Sequence, residues 1–373
     1  SGASKDEVAK LITNAVTANP SETAPRLMLI NFHLNNKDTK QALSAAQDAR
    51  TAIPDSPELL DALGRTQQVS GDLNQAIVSY NKLATMQPMS PQPYLRLAEL
   101  QIAAKDKEAA AVSLRKALEI KPDLQQAQRG SILLDVEGKN IQGALTTARM
   151  MQKQSPKEAV GYVLEGDIHA SEKKWDAAVT AYRNGLKQTS ATELAVKIHN
   201  GLLASGKAAE ADKFAGGWQK DHPQDVAFVL YLADAAIARK DYPVAERNYQ
   251  AALKLQPNNA VAYNNLAWVF SKMNKEGAIA YAEKALAIAP NQPAFMDTLA
   301  GLLADKGEYA KAIEIQKKVI ILQPSAPLFQ LNLARIQIKA GDKTGAKVTL
   351  NELAKLGDKF GGQAEVTALL KGL

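Results

Sequence analysis

Prolines recur in this chain at a fixed interval. Pro20, Pro54, Pro88, Pro122 and Pro156 each stand 34 residues after the one before. Ser190 takes the next slot, Pro223, Pro257, Pro290 and Pro324 follow at spacings of 33, 34, 33 and 34, and Asp358 takes the last. Twelve residues before each mark stands a small or β-branched apolar residue: Val8, Ala42, Ala76, Ala110, Ala144, Ala178, Ala211, Ala245, Ala278, Ala312 and Ala346. Five before each mark stand Ala15, Ala49, Leu83, Ala117, Met151, Gly185, Trp218, Ala252, Ala285, Val319 and Leu353. A period of this length held in register limits the fold severely. Each unit is one supersecondary element that cannot bury its apolar face alone, so the units must stack.

The clearest unit runs from Pro257 to Pro290. Tyr263, Leu266, Ala267 and Phe270 follow the i, i+3, i+4, i+7 pattern of one helical face. A polar turn follows, Ser271 to Gly277, and then Ala278, Ile279, Ala282, Ala285 and Leu286 make a second apolar face. Alanine where helix meets helix lets the backbones approach closely. The turns elsewhere read Ser70-Gly71-Asp72, Arg239-Lys240-Asp241, Lys306-Gly307-Glu308 and Ala340-Gly341-Asp342, with Gly expected in the left-handed conformation and Asp as the next helix cap.

This grammar resembles the tetratricopeptide (TPR) repeat, best matched at Leu60/Leu63/Gly64 with Ala76 and Tyr80, at Tyr94/Leu97/Ala98, and at Tyr263/Leu266/Ala267/Phe270. The resemblance implies an all-α, right-handed superhelical solenoid. Residues 1–22 are expected to be an orphan second helix, 23–360 ten tandem repeats, and 361–373 a C-terminal capping helix. The orphan helix implies a C-terminal fragment of a longer protein. The unit opening near Glu193 is the weakest, lacking the leading Pro and carrying Gly201, Gly206, Gly216 and Gly217.

The chemistry available to such a chain is narrow. Its 45 basic and 39 acidic residues give a net charge of +6, well mixed along 373 residues, so no polyanion-binding surface is implied. There is no cysteine, hence no disulfide, thiolate or Cys-ligated zinc. His33, His169, His199 and His222 lie in separate units without ligand spacing, so no metal is expected. Gly201 to Ala208 comes within one residue of a phosphate-binding loop, but it lacks the Ser/Thr and follows no strand; register makes it a helix end and a capping turn. No catalytic residue and no cofactor are expected.

A binding surface is expected instead. In TPR arrays the first helices line the concave groove, through positions two, five, six and nine of each unit. That register selects Asp61, Arg65, Arg96, Glu99, Arg129, Asp167, Lys197, Tyr231, Asp234, Asn264, Asn265, Trp268, Asp297, Asn332 and Arg335. Tyr, Trp and Arg are the residues that most often carry binding energy. Trp268 is expected to project off the core face. The set matches neither the Lys/Asn clamp of chaperone-binding TPR proteins nor the Asn ladder of the sugar-nucleotide transferase kind, since only Asn265 and Asn332 fit the latter. RNA binding would call for basic residues aligned at one position, whereas Arg65, Arg96 and Arg129 give way to Asp167 and Asp234. A protein or peptide partner remains, with no nucleic acid.

Gly161 to Asp167, Lys173 to Ala178, and above all Asn258-Asn-Ala-Val-Ala-Tyr-Asn-Asn-Leu-Ala-Trp268 with Tyr281 to Pro290 and Asp297-Thr-Leu299 also resemble the C-terminal part of TPR-repeat lipoproteins of the PEP-CTERM/exosortase sorting system. Those proteins are encoded with exopolysaccharide biosynthesis genes. The resemblance implies a periplasmic scaffold, attached to the membrane only through a lipid anchor that this sequence does not contain. The alternative is a targeting or regulatory module of a polysaccharide-synthesising complex whose catalysis lies elsewhere.

Overall fold

The computed structural model describes residues 4–373, and they divide into two compact units, the first ending at Ala208 and the second beginning at Ala209. The first holds α1 (Lys5–Ala18), α2 (Thr23–Asn35), α3 (Thr39–Ala52), α4 (Pro57–Val69), α5 (Leu73–Met86), α6 (Gln92–Ala103), α7 (Lys107–Ile120), α8 (Gln125–Glu137), α9 (Ile141–Gln154), α10 (Val160–Ser171), α11 (Trp175–Leu186) and α12 (Thr192–Ala204). The second holds α13 (Ala208–Asp221), α14 (Val226–Ala238), α15 (Tyr242–Leu255), α16 (Ala260–Lys272), α17 (Ala278–Ile288), α18 (Pro293–Asp305), α19 (Tyr309–Leu322), α20 (Pro327–Lys339), α21 (Lys343–Ala354) and α22 (Gln363–Lys371), with a short 3-10 turn at Gly357–Lys359. Among the described residues there is no strand. Within each unit, consecutive helices pack as antiparallel pairs, the architecture of a TPR solenoid. The division between the units falls in the repeat that carries Gly201, Gly206, Gly216 and Gly217.

The small-residue slot explains the packing. Ala42, Ala76, Ala110, Ala144 and Ala178 in the first unit, and Ala211, Ala245, Ala312 and Ala346 in the second, are fully buried, while Ala278 is only partly so. Around Ala245 a core forms from Ala233, Ala236, Tyr249, Ala262, Leu266, Val269 and Phe270. Larger residues in the slot would hold the helices apart. The next such core, built on Leu299, Ala300, Leu303 and Ala312, continues the layer.

Helix ends are set locally. Ser56 accepts the Leu59 N–H ahead of Pro57, and Asp225 and Asn259 cap α14 and α16 by accepting the Phe228 and Ala262 N–H groups. The turn between the two helices of each repeat carries a residue at positive φ, and the α16–α17 turn carries two, Asn274 and Gly277. Glycine fills it at Gly71, Gly206, Gly307 and Gly341, as expected, but Lys37, Lys105, Lys139, Lys173, Lys240 and Asn274 occupy the equivalent position elsewhere. The left-handed turn is therefore imposed by the packing of the two helices, and the chain tolerates a side chain there at a conformational cost.

Candidate functional site

The first helices of neighbouring repeats lie side by side, and polar side chains on them are tied down from behind by the second helices. Tyr249, fully buried on α15, donates its hydroxyl to Asp234 Oδ1 on α14. Tyr182 on α11 donates to Asp167 Oδ1 on α10 at 2.7 Å, and Tyr80 on α5 donates to Asp61 Oδ1 on α4 at 3.1 Å. Gln316 on α19 takes the equivalent place, donating its amide to Asp297 Oδ1 at 2.7 Å. Tyr80, Tyr182, Tyr249 and Gln316 all stand at the twenty-fourth position of their repeats. Their carboxylates stand at the fifth (Asp61, Asp297) or the ninth (Asp167, Asp234). Where that slot is Ala46, Leu114, Ala148 or Leu350, neither position carries Asp. Burial and the facing carboxylates push all three tyrosine hydroxyls well above the usual phenol range, so they remain protonated donors.

In the second unit the tethered groups line two clefts that meet at Trp268. Their volumes are similar, and they differ in how much of the surface walls them. The smaller in lining, about 330 Å³, is walled by Asp234, Ile237, Asn264, Asn265, Trp268 and Thr298. The larger in lining, about 310 Å³, adds Lys272, Asp297, Asn332, Arg335 and Lys339. Asn265 Nδ2 donates to the Tyr249 hydroxyl at 3.1 Å, and Asn264 Nδ2 donates to Asn265 Oδ1 at 3.2 Å. Asn264 Oδ1 is buried and accepts nothing. Across the larger cleft Asn332 Nδ2 donates to both oxygens of Asp297, at 2.8 and 2.9 Å, which joins α20 to α18. Burial pushes the Asp297 carboxyl above its ordinary value, opposed by the Asn332 and Gln316 amides and by the Arg335 charge.

Trp268 is half-buried rather than freely projecting. Its ring meets Tyr242 edge-on at 5.8 Å and joins the apolar cluster beneath, while Lys272 lies over it at 5.2 Å. Arg335 is not a free anchor. It forms a two-pronged ion pair with Glu365 on α22, at 2.8 and 2.7 Å, and donates to Asn332 Oδ1. Tyr231 stays out of both clefts, tilted against Phe228 at 5.8 Å, and burial pushes its hydroxyl up to about 12.

The first-unit candidates are mostly spent on one another. Arg65 pairs with Asp61 at 3.0 Å, Arg96 with Glu99 at 2.9 Å, and Lys197 on α12 with Asp167 on α10 at 2.7 Å. Gln126 on α8 donates to Glu99 on α6 at 2.8 Å. Arg129 stands exposed. Such half-exposed pairs contribute little to stability, but they fix where charge is presented. The phosphate-loop look-alike has no nest for an anion: Gly201 is buried inside α12 against Val179, and Lys207 pairs with Asp176. No group of three or more His, Asp or Glu side chains suited to a metal ion occurs among the described residues, and no described helix is long and apolar enough to cross a membrane.

Sequence reasoning found the first-helix positions and missed the tethers behind them. The signal was present: Tyr or Gln at the twenty-fourth position coincides with Asp at the fifth or ninth.

Comparison with known protein families finds one kind of repeat in this chain. Three family models, each described as a tetratricopeptide repeat, match residues 225–291, 91–124 and 329–356. The chain therefore carries tetratricopeptide repeats in both units. Over 100 residues it is 32% identical to small glutamine-rich tetratricopeptide repeat-containing protein 2 of Mycosarcoma maydis, a match covering 26% of this chain and 28% of that one. The chain thus spans little more than a quarter of the curated relative it matches. Among solved structures, it is similar to YrrB, described as a TPR protein with an unusual peptide-binding site, at 15% identity and a TM-score of 0.39, covering 52% of this chain and 98% of that one. It is also similar to Naa15/Naa10 bound to HypK-THB, at 16% identity and a TM-score of 0.38, covering 90% and 64%. The repeats suggest a protein–protein interaction scaffold.

Proposed function

We propose that this chain is a non-catalytic scaffold that receives an extended polypeptide across the first helices of its second unit, α14, α16, α18 and α20. The observation that supports this most is the run of Asp234, Asn264, Asn265, Trp268, Asp297 and Asn332 lining two adjoining clefts. Asp234, Asn265, Asp297 and Asn332 are already held by part-buried hydrogen bonds, so little ordering entropy is lost when a partner docks. Amide side chains both donate to and accept from a peptide backbone, and the indole supplies a flat apolar contact.

The setting we propose follows from the residue phrases around Asn258–Trp268 and Tyr281–Pro290: a scaffold on the periplasmic side of a bacterial membrane, lipid-anchored in its full-length form, serving exopolysaccharide export or the sorting of PEP-CTERM proteins. The full-length gene tests that setting directly, through the presence or absence of a lipid-attachment cysteine.

Panning a random dodecapeptide library tests the surface. Peptides selected on the wild-type protein should lose at least about 30-fold in affinity, roughly 2 kcal/mol, in Trp268→Ala. Because Trp268 also packs on Tyr242, circular dichroism must show retained helicity. Selected peptides that bind the folded variant equally well would refute the reading.

A further inference from the structure

The two clefts differ in charge. The larger holds Lys272, Arg335 and Lys339 against Asp297 and Asp305, whereas Asp234 is the one charged residue in the wall of the smaller. Among the described residues no basic side chain forms an ion pair with Asp234.

The hydrogen bonds along that wall all run one way. Asn264 Nδ2 donates to Asn265 Oδ1, Asn265 Nδ2 donates to the Tyr249 hydroxyl, and that hydroxyl donates to Asp234 Oδ1. Each link polarises the next. The chain therefore ends in acceptors on both sides: Asn264 Oδ1, buried and without a donor, and the second carboxylate oxygen of Asp234. The indole of Trp268 lies between the clefts, and its face already attracts the Lys272 ammonium at 5.2 Å from the side of the larger one.

The Asp234 carboxylate without a basic partner and the indole of Trp268 in one wall together ask for a group that is positive and carried on an apolar stem. We propose that the smaller cleft is a socket for one cationic side chain, lysine or arginine, of the polypeptide that lies on this surface; this rests on the peptide reading above. A neutral apolar side chain would leave Asp234 without a counter-charge, and an acidic one would face Asp234 directly, so the socket rejects as well as selects. Ile237, on the same wall, covers the aliphatic stem.

The probe is N-acetyl-lysine methylamide, with the arginine, norleucine and glutamate methylamides as comparators. The readout is the indole N–H resonance of Trp268 in the full chain, assigned through Trp268→Phe. The lysine or the arginine probe, or both, should shift that resonance saturably, while norleucine and glutamate should not. Asp234→Asn should weaken the cationic probe at least tenfold, and Asn264→Ala about threefold. Lys272→Gln, which removes a like charge beside the ring, should tighten it. An equal response to norleucine, no response to either cation, or undiminished binding in a folded Asp234→Asn protein would overturn the socket. The selected dodecapeptides separate the two readings. Trp268-dependent peptides with no enrichment of lysine or arginine, bound equally by Asp234→Asn, would sink the socket and leave the peptide surface standing. Asp234-dependent binding of the methylamide with no Trp268-dependent peptide would do the reverse.

Discussion

Gly166→Ala should be among the most damaging single-methyl additions to this protein. A Cβ built at Gly166 on α10 falls 2.0 Å from Cε1 of Tyr182. Ordinary carbon contacts need about 3.5 Å, so the ring must retreat by roughly 1.5 Å. It has little room to do so, being 2% exposed with its hydroxyl tied to Asp167 at 2.7 Å. Overpacking costs about 1–3 kcal/mol, and losing a hydrogen bond to a carboxylate adds about 1.5–3 kcal/mol. The gain in helix propensity from Gly to Ala offsets about 1 kcal/mol. The net destabilisation is then roughly 1.5–5 kcal/mol. Repeat arrays need not unfold as one cooperative block, so the assay is native-state hydrogen exchange on α10 and α11 alongside urea denaturation. Gly217→Ala is the control. It sits in α13 with nothing within 4 Å of the added Cβ, and it should stabilise by about 1 kcal/mol. Gly166→Ala combined with Tyr182→Leu should recover part of the loss, because the clashing ring is gone. If Gly166→Ala proved neutral or stabilising like Gly217→Ala, the close seating of the position-24 tyrosine against its first helix would be disproved.

Ala245→Leu should cost about 1–3 kcal/mol in urea denaturation, since Ala245 is fully buried in one cluster with Tyr249 and Leu266. Lys240→Gly should instead stabilise by up to about 1 kcal/mol, because φ is +60° there and glycine adopts it without strain; a loss of stability would show that the Lys240 side chain makes a contact worth more than the strain. Asp297 gives a pH signature. Its carboxyl lies above the ordinary value in the folded state, so the folded protein binds more protons than the unfolded chain between the two values. Stability from this group should therefore rise as pH falls through the folded value toward the ordinary aspartate range. In Asp297→Asn that component should disappear, as read by urea midpoints measured across acidic pH.

The sequence carried the repeat boundaries and the buried alanines because both follow from a period. Proline at a helix start and a small residue at a helix crossing are demanded by local geometry, so Pro57, Pro293 and Pro327 open α4, α18 and α20. What it carried less well depends on three-dimensional neighbours. Trp268 sits one position after a core residue, so its spacing points outward, yet Tyr242 catches its edge. Arg335 reads as an open anchor until Glu365, 30 residues on, is seen to hold it. The turn residues misled in the opposite direction. Glycine reads as the source of the left-handed turn, but lysine adopts the same φ where two packed helices demand it.

The pairing of a position-24 donor with a first-helix aspartate also makes the acidic pattern of this surface movable. A fifth-position and a ninth-position carboxylate differ by one helical turn, about 6 Å along the axis at 1.5 Å per residue. The same buried slot serves both, since Tyr80 reaches the fifth position and Tyr182 the ninth. Exchanging Leu230 and Asp234 would slide the negative charge by that distance with Tyr249 still as its donor, at the expense of the contact that Leu230 makes with the cluster beneath. Repeats of this kind can thus be re-addressed one at a time, like type set in a fixed frame, with the buried donor of each repeat left where it is.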